Sequence, residues 1–319
     1  MSARSHAVAA HLREVLRVPE VPGDRYQIRE RVGEGGMGVV YRAFDRLLGR
    51  EVALKVVRPD VDPEAFTHRL RREAEILARL EHPGIVPVHD AGVLADGRAF
   101  YVMKLVRGGR LDEVAAGQGR AATLRLLLRV CDAVASAHAQ GIVHRDLKPA
   151  NVMIGPFGEV LVLDWGIARI LREPGEGPAV PGTPPANPAQ PDDTAPGAAL
   201  GTPGFMAPEQ GRGDGSQVDT RADIFALGEV LRTLAGPDAP PALRAIVARA
   251  KAGDPAARYP TVEAFAADVA AFLDGLPVAA YREPVSERLA RLYGRYQTPI
   301  LLVVAYLVMR LLFLALRGL

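Results

Sequence analysis

Sulfur is scarce in this sequence, with one cysteine, Cys131, in 319 residues. One thiol cannot close an internal disulfide, so the fold must rest on packing, and a reducing compartment fits that composition. Cys131 falls in the apolar run Leu126 to Val134 and is expected in a core. Neither sign of charge is in excess. A net charge of +2 supplies no basic field of the kind that nucleic-acid binding needs, so no nucleic-acid partner is expected. Ser2 to Leu16 lack an apolar core, which argues against a secretory leader. Tryptophan occurs once, at position 165.

What is present changes along the chain. A short helix is expected over His6 to Val18, ending at the breaker Val21-Pro22-Gly23. From Tyr26 the pattern turns to strands, with Gly33-Glu34-Gly35-Gly36-Met37-Gly38 followed by Val39-Val40-Tyr41. A dinucleotide fingerprint would need a helix straight after its glycines. A β-branched run follows here, so the glycines read as a hairpin turn whose amides can approach phosphate. Further strands are expected at Val52 to Val57, Ile85 to His89 and Ala99 to Val106. After Gly108-Gly109 the composition becomes helical, with a periodic helix over Ala121 to Gln140 and Gly141 as its C-cap. Strands first and helices later predict an α+β chain, with a small sheet-rich lobe on a larger helical one.

Two charged residues sit where apolar ones are expected. Lys55 lies in the run Val52-Ala53-Leu54-Lys55-Val56-Val57 and shares its facing parity with Ala53 and Val57. A buried ammonium needs a partner. The next helix opens at Asp62-Pro63 and runs to about Leu80. Phe66, Leu70, Leu77 and Leu80 form one stripe, and Glu73 stands in the middle of it. Glu73 therefore pairs either with Lys55 or locally with Arg69, and the motifs further along the chain favour Lys55.

The densest chemistry lies between residues 144 and 166. His144-Arg145-Asp146-Leu147-Lys148-Pro149-Ala150-Asn151 is followed by an apolar stretch and then by Asp164-Trp165-Gly166. Two carboxylates, a lysine and an amide at this spacing suit a phosphoryl group held by a metal. With the glycine turn, Lys55 and Glu73 in the same order, the chain resembles the eukaryotic-type serine/threonine protein kinases that bacteria carry. The resemblance runs from about Tyr26 to Leu273.

That resemblance implies a bilobal protein-kinase-like fold with residues 25–106 as the sheet-rich lobe and 107–274 as the helical one. It implies ATP and Mg2+ or Mn2+ as cofactors, and protein substrates. Gly33, Glu34, Gly35, Gly36, Met37 and Gly38 would cover the phosphates. Lys55 would hold the α- and β-phosphates, braced by Glu73. Val40, Ala53 and Met153 would sandwich the adenine, with Met103 as gatekeeper and the backbone of Lys104 and Val106 on its edge. Lys104 stands where the family commonly has Glu. Asn151 and Asp164 would bind metal. Asp146 would accept or orient the substrate hydroxyl, and Lys148 would stabilise the transferring phosphate. Trp165 departs from the usual Phe, which implies altered poise between on and off states.

The regulatory expectations follow from the same resemblance. Arg145 would recruit a phosphate on the activation segment, whose Pro-, Gly- and Ala-rich part over 173–199 is expected to be disordered. Thr183 and Thr194 are candidate acceptors there, or plain linker residues. Thr202 would contact Asp146 and Lys148. Glu209 would pair with Arg258, and Asp223 would brace the catalytic loop. The passage from Gly236 through Pro237–Pro241 into the next helix is shorter than the family's usual connection, so this lobe reads as trimmed where substrates often dock.

Pro299 to Leu316 is almost wholly apolar, and twelve of its eighteen residues are Leu, Ile, Val or Phe. As a helix it would span roughly 27 Å, close to the ~30 Å hydrocarbon core. Arg282, Arg288, Arg291 and Arg295 precede it, which places that side in the cytoplasm. The expectation is a single-pass tail anchor in the cytoplasmic or inner membrane, with 1–24 as a peripheral extension and 275–298 as a juxtamembrane linker. The alternative is a helix packed on the chain itself or on a partner. A homodimer is compatible with the sequence but not specified by it. Two other functions share the nucleotide site, a pseudokinase scaffold and a kinase for small molecules. Intact Lys55, Asp146, Asn151 and Asp164 argue against the first, and Thr202 to Glu209 with Arg258 against the second.

Overall fold

The structure, a computed structural model, describes residues 19–34, 38–58, 63–165, 168–170, 202, 204–211 and 218–317. The expected helix over His6 to Val18, Gly35 to Met37, Asp62, Gly166, Thr183, Thr194 and the segment 173–199 all lie outside these residues.

Five antiparallel strands form the first layer, in the order β1-β2-β3-β5-β4. They are β1 (Tyr26–Glu34), β2 (Gly38–Asp45), β3 (Arg50–Val57), β4 (Val88–Val93) and β5 (Ala99–Lys104). β1 and β2 form a hairpin in which Gly33 faces Val40 and Glu34 faces Val39. Gly38 is required by packing, because a Cβ there would lie 2.5 Å from the Val56 carbonyl oxygen. At the β2–β3 turn, Asp45 accepts from the Leu47 and Leu48 amides, and Gly49 takes φ 63°. β3 is buried from Val52 onward because the sheet is covered on both sides. Helix α1 (Pro63–Arg79) covers one side with Leu70, Ala74, Ile76 and Leu77. A second cluster built on Val21, Tyr26, Leu54 and Phe100 covers the other.

The strand expected over Ile85 to His89 starts later, at Val88. Pro87 has no N–H to give a ladder, and Ile85 instead makes one isolated parallel bridge with Val162. The strand expected over Ala99 to Val106 ends at Lys104, which leaves Leu105 to Gly108 as the connection between the lobes.

The second layer is helical. Helices α2 (Leu111–Ala116) and α3 (Arg120–Ala139) come first, and Gly141 takes φ 73° just past the end of α3. Short strands β6 (Gly109–Arg110), β8 (Val152–Ile154) and β9 (Val160–Val162) make a three-stranded sheet in that order. β7 (Ile142–Val143) pairs with β10 (Arg169–Ile170). Then come α4 (Pro208–Gly211), α5 (Arg221–Ala235), α6 (Pro241–Ala250) and α7 (Val262–Leu273). One continuous core runs from α1 through β9 to α7 and contains Cys131. α5 and α6 pack at close range, since a Cβ on Gly228 would lie 2.6 Å from that of Ala250.

The chain after α7 is not loose. Asp268 accepts from the Ala279 amide at 2.7 Å, the Ala280 amide at 3.0 Å and the Tyr259 hydroxyl at 2.7 Å. Val278 is buried and Tyr281 packs on the core. Helix α8 (Val285–Arg317) follows, so the helix expected over 299–316 is the second half of a 33-residue one. Among the described residues no helix is long and apolar enough to cross a membrane. Within α8 the side chains of residues 286, 287, 289–300, 314 and 315 are outside that description.

Candidate active site

β3, α1 and β5 bring three polar side chains into an apolar setting. Lys55 Nζ donates to Glu73 Oε1 at 2.7 Å and Oε2 at 2.8 Å, with both residues buried. The Tyr101 hydroxyl donates to Glu73 Oε1 at 2.9 Å. Lys55 also reaches Asp164 Oδ1 at 3.1 Å, across 109 positions of sequence. Burial alone would lower the Lys55 pKa, but the facing charges of Glu73 and Asp164 hold it well above the ordinary lysine value. The Lys55 charge in turn holds Asp164 below the usual carboxylate range. Burial pushes Glu73 up, while its three hydrogen bonds favour the carboxylate, so the geometry supports a charged pair.

The residues of the loop over 144–151 converge with Thr202 on Asp146. Lys148 Nζ donates to Asp146 Oδ2 at 2.7 Å and to Thr202 Oγ1 at 2.5 Å. Asn151 Nδ2 donates to the Asp146 carbonyl at 2.8 Å and to Oδ2 at 3.1 Å. Thr202 donates to Asp146 Oδ1 from its hydroxyl at 2.7 Å and from its amide at 3.0 Å. The Leu163 amide donates to the Asn151 carbonyl at 2.8 Å, which ties this loop to Asp164. Two non-glycine residues in the left-handed region flank the site, Arg145 at φ 70° and Asp164 at φ 61°. Such backbone costs about 1–3 kcal/mol and persists only where surroundings over-determine it.

Those surroundings are visible. Asp223, at the start of α5, accepts from the His144 amide and the Arg145 amide, each at 2.8 Å, and contacts His138 Nε2 at 2.7 Å. Burial works against the Asp223 charge, yet these donors outweigh it and hold the carboxyl below its usual range. Gln210 Nε2 donates to the Arg145 carbonyl at 2.8 Å, while its Oε1 accepts from Ala207. His144 Nδ1 accepts from the Asp146 amide at 3.2 Å, so Nε2 carries the proton given to the Leu163 carbonyl at 3.0 Å. Trp165 is wholly buried, packs against His144 with ring centroids 4.6 Å apart and the rings tilted by 55°, and donates to the Val162 carbonyl at 3.4 Å. Arg258 grips Glu209 at 2.6 and 2.8 Å and also holds the Ala252 and Arg221 carbonyls.

The protein kinase domain family matches residues 26–248. The chain belongs to that family. It is 36% identical to the serine/threonine-protein kinase PknD of Chlamydia caviae over 302 residues, covering 79% of this chain and 32% of that protein. A probable serine/threonine-protein kinase of Corynebacterium efficiens is 40% identical over 223 residues, covering 67% of this chain and 31% of that protein. The kinase-domain structure of Mycobacterium tuberculosis PknI aligns with a TM-score of 0.57 at 27% identity, covering 79% of this chain and 98% of that one. The chain thus spans about a third of the length of these curated relatives.

In this kinase domain the expected nucleotide residues come from both lobes. Ala53 of β3 faces Met103 of β5 in register, and Lys104 faces Val52. Val40 lies across from Lys55 on β2, and Met153 lies on β8 opposite Arg110. Ala53 is buried, Met103, Val106 and Met153 are half-buried, and Lys104 is exposed. Three polar contributors escaped the sequence reading, namely Tyr101, His138 and Gln210. Tyr101 had one usable signal, the same strand parity as Met103. His138 and Gln210 had none beyond their neighbours.

A pH prediction follows from Asp223. Its folded-state pKa is depressed, so its contribution to stability is present above the unfolded value of about 3.9 and lost as pH falls through the folded value. Urea midpoints of the parent and Asp223→Asn should differ by a constant gap from pH 5 to 7. The gap should narrow below about pH 4. A gap that does not change with pH would refute the assignment.

Proposed function

We propose that this chain is an ATP-dependent protein serine/threonine kinase, moving the γ-phosphate to Ser or Thr hydroxyls of proteins. The observation that carries this reading is the convergence of Lys148, Asn151 and Thr202 on Asp146, beside a Lys55 shared by Glu73 and Asp164. The names of the relatives support the choice of Ser/Thr, as does Lys148 two residues after Asp146.

The residues fit a hard divalent ion. Among the described residues no group of three or more His, Cys, Asp and Glu forms. Asp164 offers a carboxylate with nearly half its side chain exposed, and Asn151 has committed its amide nitrogen to Asp146, which leaves its oxygen. Two hard oxygens plus phosphate oxygens suit Mg2+ or Mn2+ better than a soft metal. When bound, such an ion supplies neutralisation of phosphate charge. Lys55 holds the α- and β-phosphates and Glu73 fixes its direction. Asp146 Oδ1, now taken by the Thr202 hydroxyl, receives the substrate hydroxyl and orients or accepts its proton. Lys148 stabilises the transferring phosphoryl group. Val40, Ala53 and Met153 close on the adenine, and Gly33 to Gly38 cover the phosphates.

Regulation and location belong to the same proposal. Arg145 would receive a phosphate on the activation segment, with Thr183 and Thr194 as acceptors. The second half of α8 would sit in the cytoplasmic membrane with the kinase domain on the inner side. The exposed Leu301, Leu302, Val303, Leu307, Leu311 and Leu312 support this, as do the arginines before them. Radiolabel from [γ-32P]ATP transferred to a generic protein substrate, compared with Asp146→Asn, tests the activity. Equal signals would sink it, and nucleotide binding without transfer would point to a scaffold. Flotation of the full chain with phosphatidylglycerol vesicles, lost on truncation before Pro299, tests the anchor.

A further inference from the structure

The Lys55–Glu73 pair has a third member to which the kinase reading gives no part. Tyr101 lies directly opposite Lys55 in the β3–β5 register. Its side chain is 2% exposed and its hydroxyl donates to Glu73 Oε1 at 2.9 Å. The Lys55 ammonium stands 5.7 Å from the Tyr101 ring centroid, within range of the ring's negative face.

We propose that Tyr101 is a positioning residue that holds the Glu73 carboxylate in place and, through it, keeps Lys55 aimed at the nucleotide phosphates. Glu73 rides on α1, whereas Tyr101 is fixed to the sheet by its strand. The hydroxyl therefore ties helix to sheet by a route that does not depend on Lys55. That matters when Lys55 turns toward phosphate, because its hold on Glu73 then weakens and the tyrosine bond remains. Burial raises the phenol well above its ordinary pKa, so it stays a donor. A phenylalanine would keep the ring packing but remove one donor from a carboxylate that is 1% exposed. This inference rests on the kinase reading only for the role of Lys55.

A double-mutant cycle on the full chain tests it, with Tyr101→Phe, Glu73→Ala and both together. The readouts are affinity for the fluorescent analogue mant-ATP, and kcat and KM for ATP. Tyr101→Phe should lower kcat/KM for ATP about tenfold, the size of a hydrogen bond to a charged group, and leave KM for the protein substrate unchanged. In the Glu73→Ala background it should cost less than twofold. A packing role would give the same loss in both backgrounds, and that result overturns the inference, as does no loss with Glu73 present. Should Glu73→Ala fail to fold, Lys55→Met takes its place in the cycle with the same expectation. If the parent binds mant-ATP but transfers no phosphate, the kinase reading fails and the same comparison of affinities decides the role of Tyr101. A parent that binds no nucleotide overturns both.

Discussion

Asp146→Asn should lower kcat by about 10²- to 10⁴-fold while leaving mant-ATP affinity within twofold. The amide is nearly the same size and its one oxygen still accepts two of the four donors, so the fold should be unchanged although the other two donors lose their acceptor. What is lost is the negative oxygen that orients a hydroxyl and draws its proton. Four donor atoms now face this carboxylate, from Lys148, Asn151 and Thr202, counting the hydroxyl and amide of Thr202 separately. They fix its direction before substrate arrives, which is how a single group can contribute so much. Steady-state kinetics with radiolabelled ATP measures the loss. A fall in affinity equal to the fall in kcat would show that Asp146 acts on nucleotide binding instead.

The second large effect is on stability. Arg258→Ala should destabilise the domain by about 3–5 kcal/mol, because it strands a buried Glu209 carboxylate and frees two carbonyls as well. For a domain of this size that is a fall in Tm of roughly 6–20 °C. Breaking a buried pair costs more than the pair contributes, since the remaining charge has no water. Replacing both partners by Arg258→Met and Glu209→Leu should therefore recover much of the loss. Urea unfolding of the parent, the single variant and the double variant separates these outcomes. An Arg258→Ala domain as stable as the parent would show that the segment carrying Glu209 is held by other contacts.

The legible part of the site was the part where chemistry broke a pattern. Lys55 interrupts an apolar strand and Glu73 interrupts an apolar helix stripe, so each advertised a buried partner, and in the structure they meet each other. Tyr101 broke nothing, because tyrosine is an ordinary strand residue and its hydroxyl bond spans 28 positions of sequence. The left-handed backbone at Arg145 and Asp164 was likewise silent, since neither residue is glycine and the hydrogen bonds seen at both are tertiary. In the fold, the β-branched residues Ile85, Val86 and Val88 outweighed Pro87, although the missing N–H decided where the ladder began. The order of strands before helices was readable because composition shifts once, at Gly108-Gly109. The helix over 299–316 was readable, but not its continuation back to Val285, which nothing in an apolar count reveals.

The three bonds that Asp268 accepts set the reach of the domain. A free linker over residues 275–298 would let the two ends wander by roughly 25–30 Å. Instead, only Arg282 to Pro284 separate the last residue packed on the core, Tyr281, from the start of α8. Were α8 anchored as proposed, the cleft would stand on a tether with almost no slack. Under the proposed anchorage, a protein substrate would have to come to the cleft within a thin shell around the membrane, and proximity to it would become part of substrate choice.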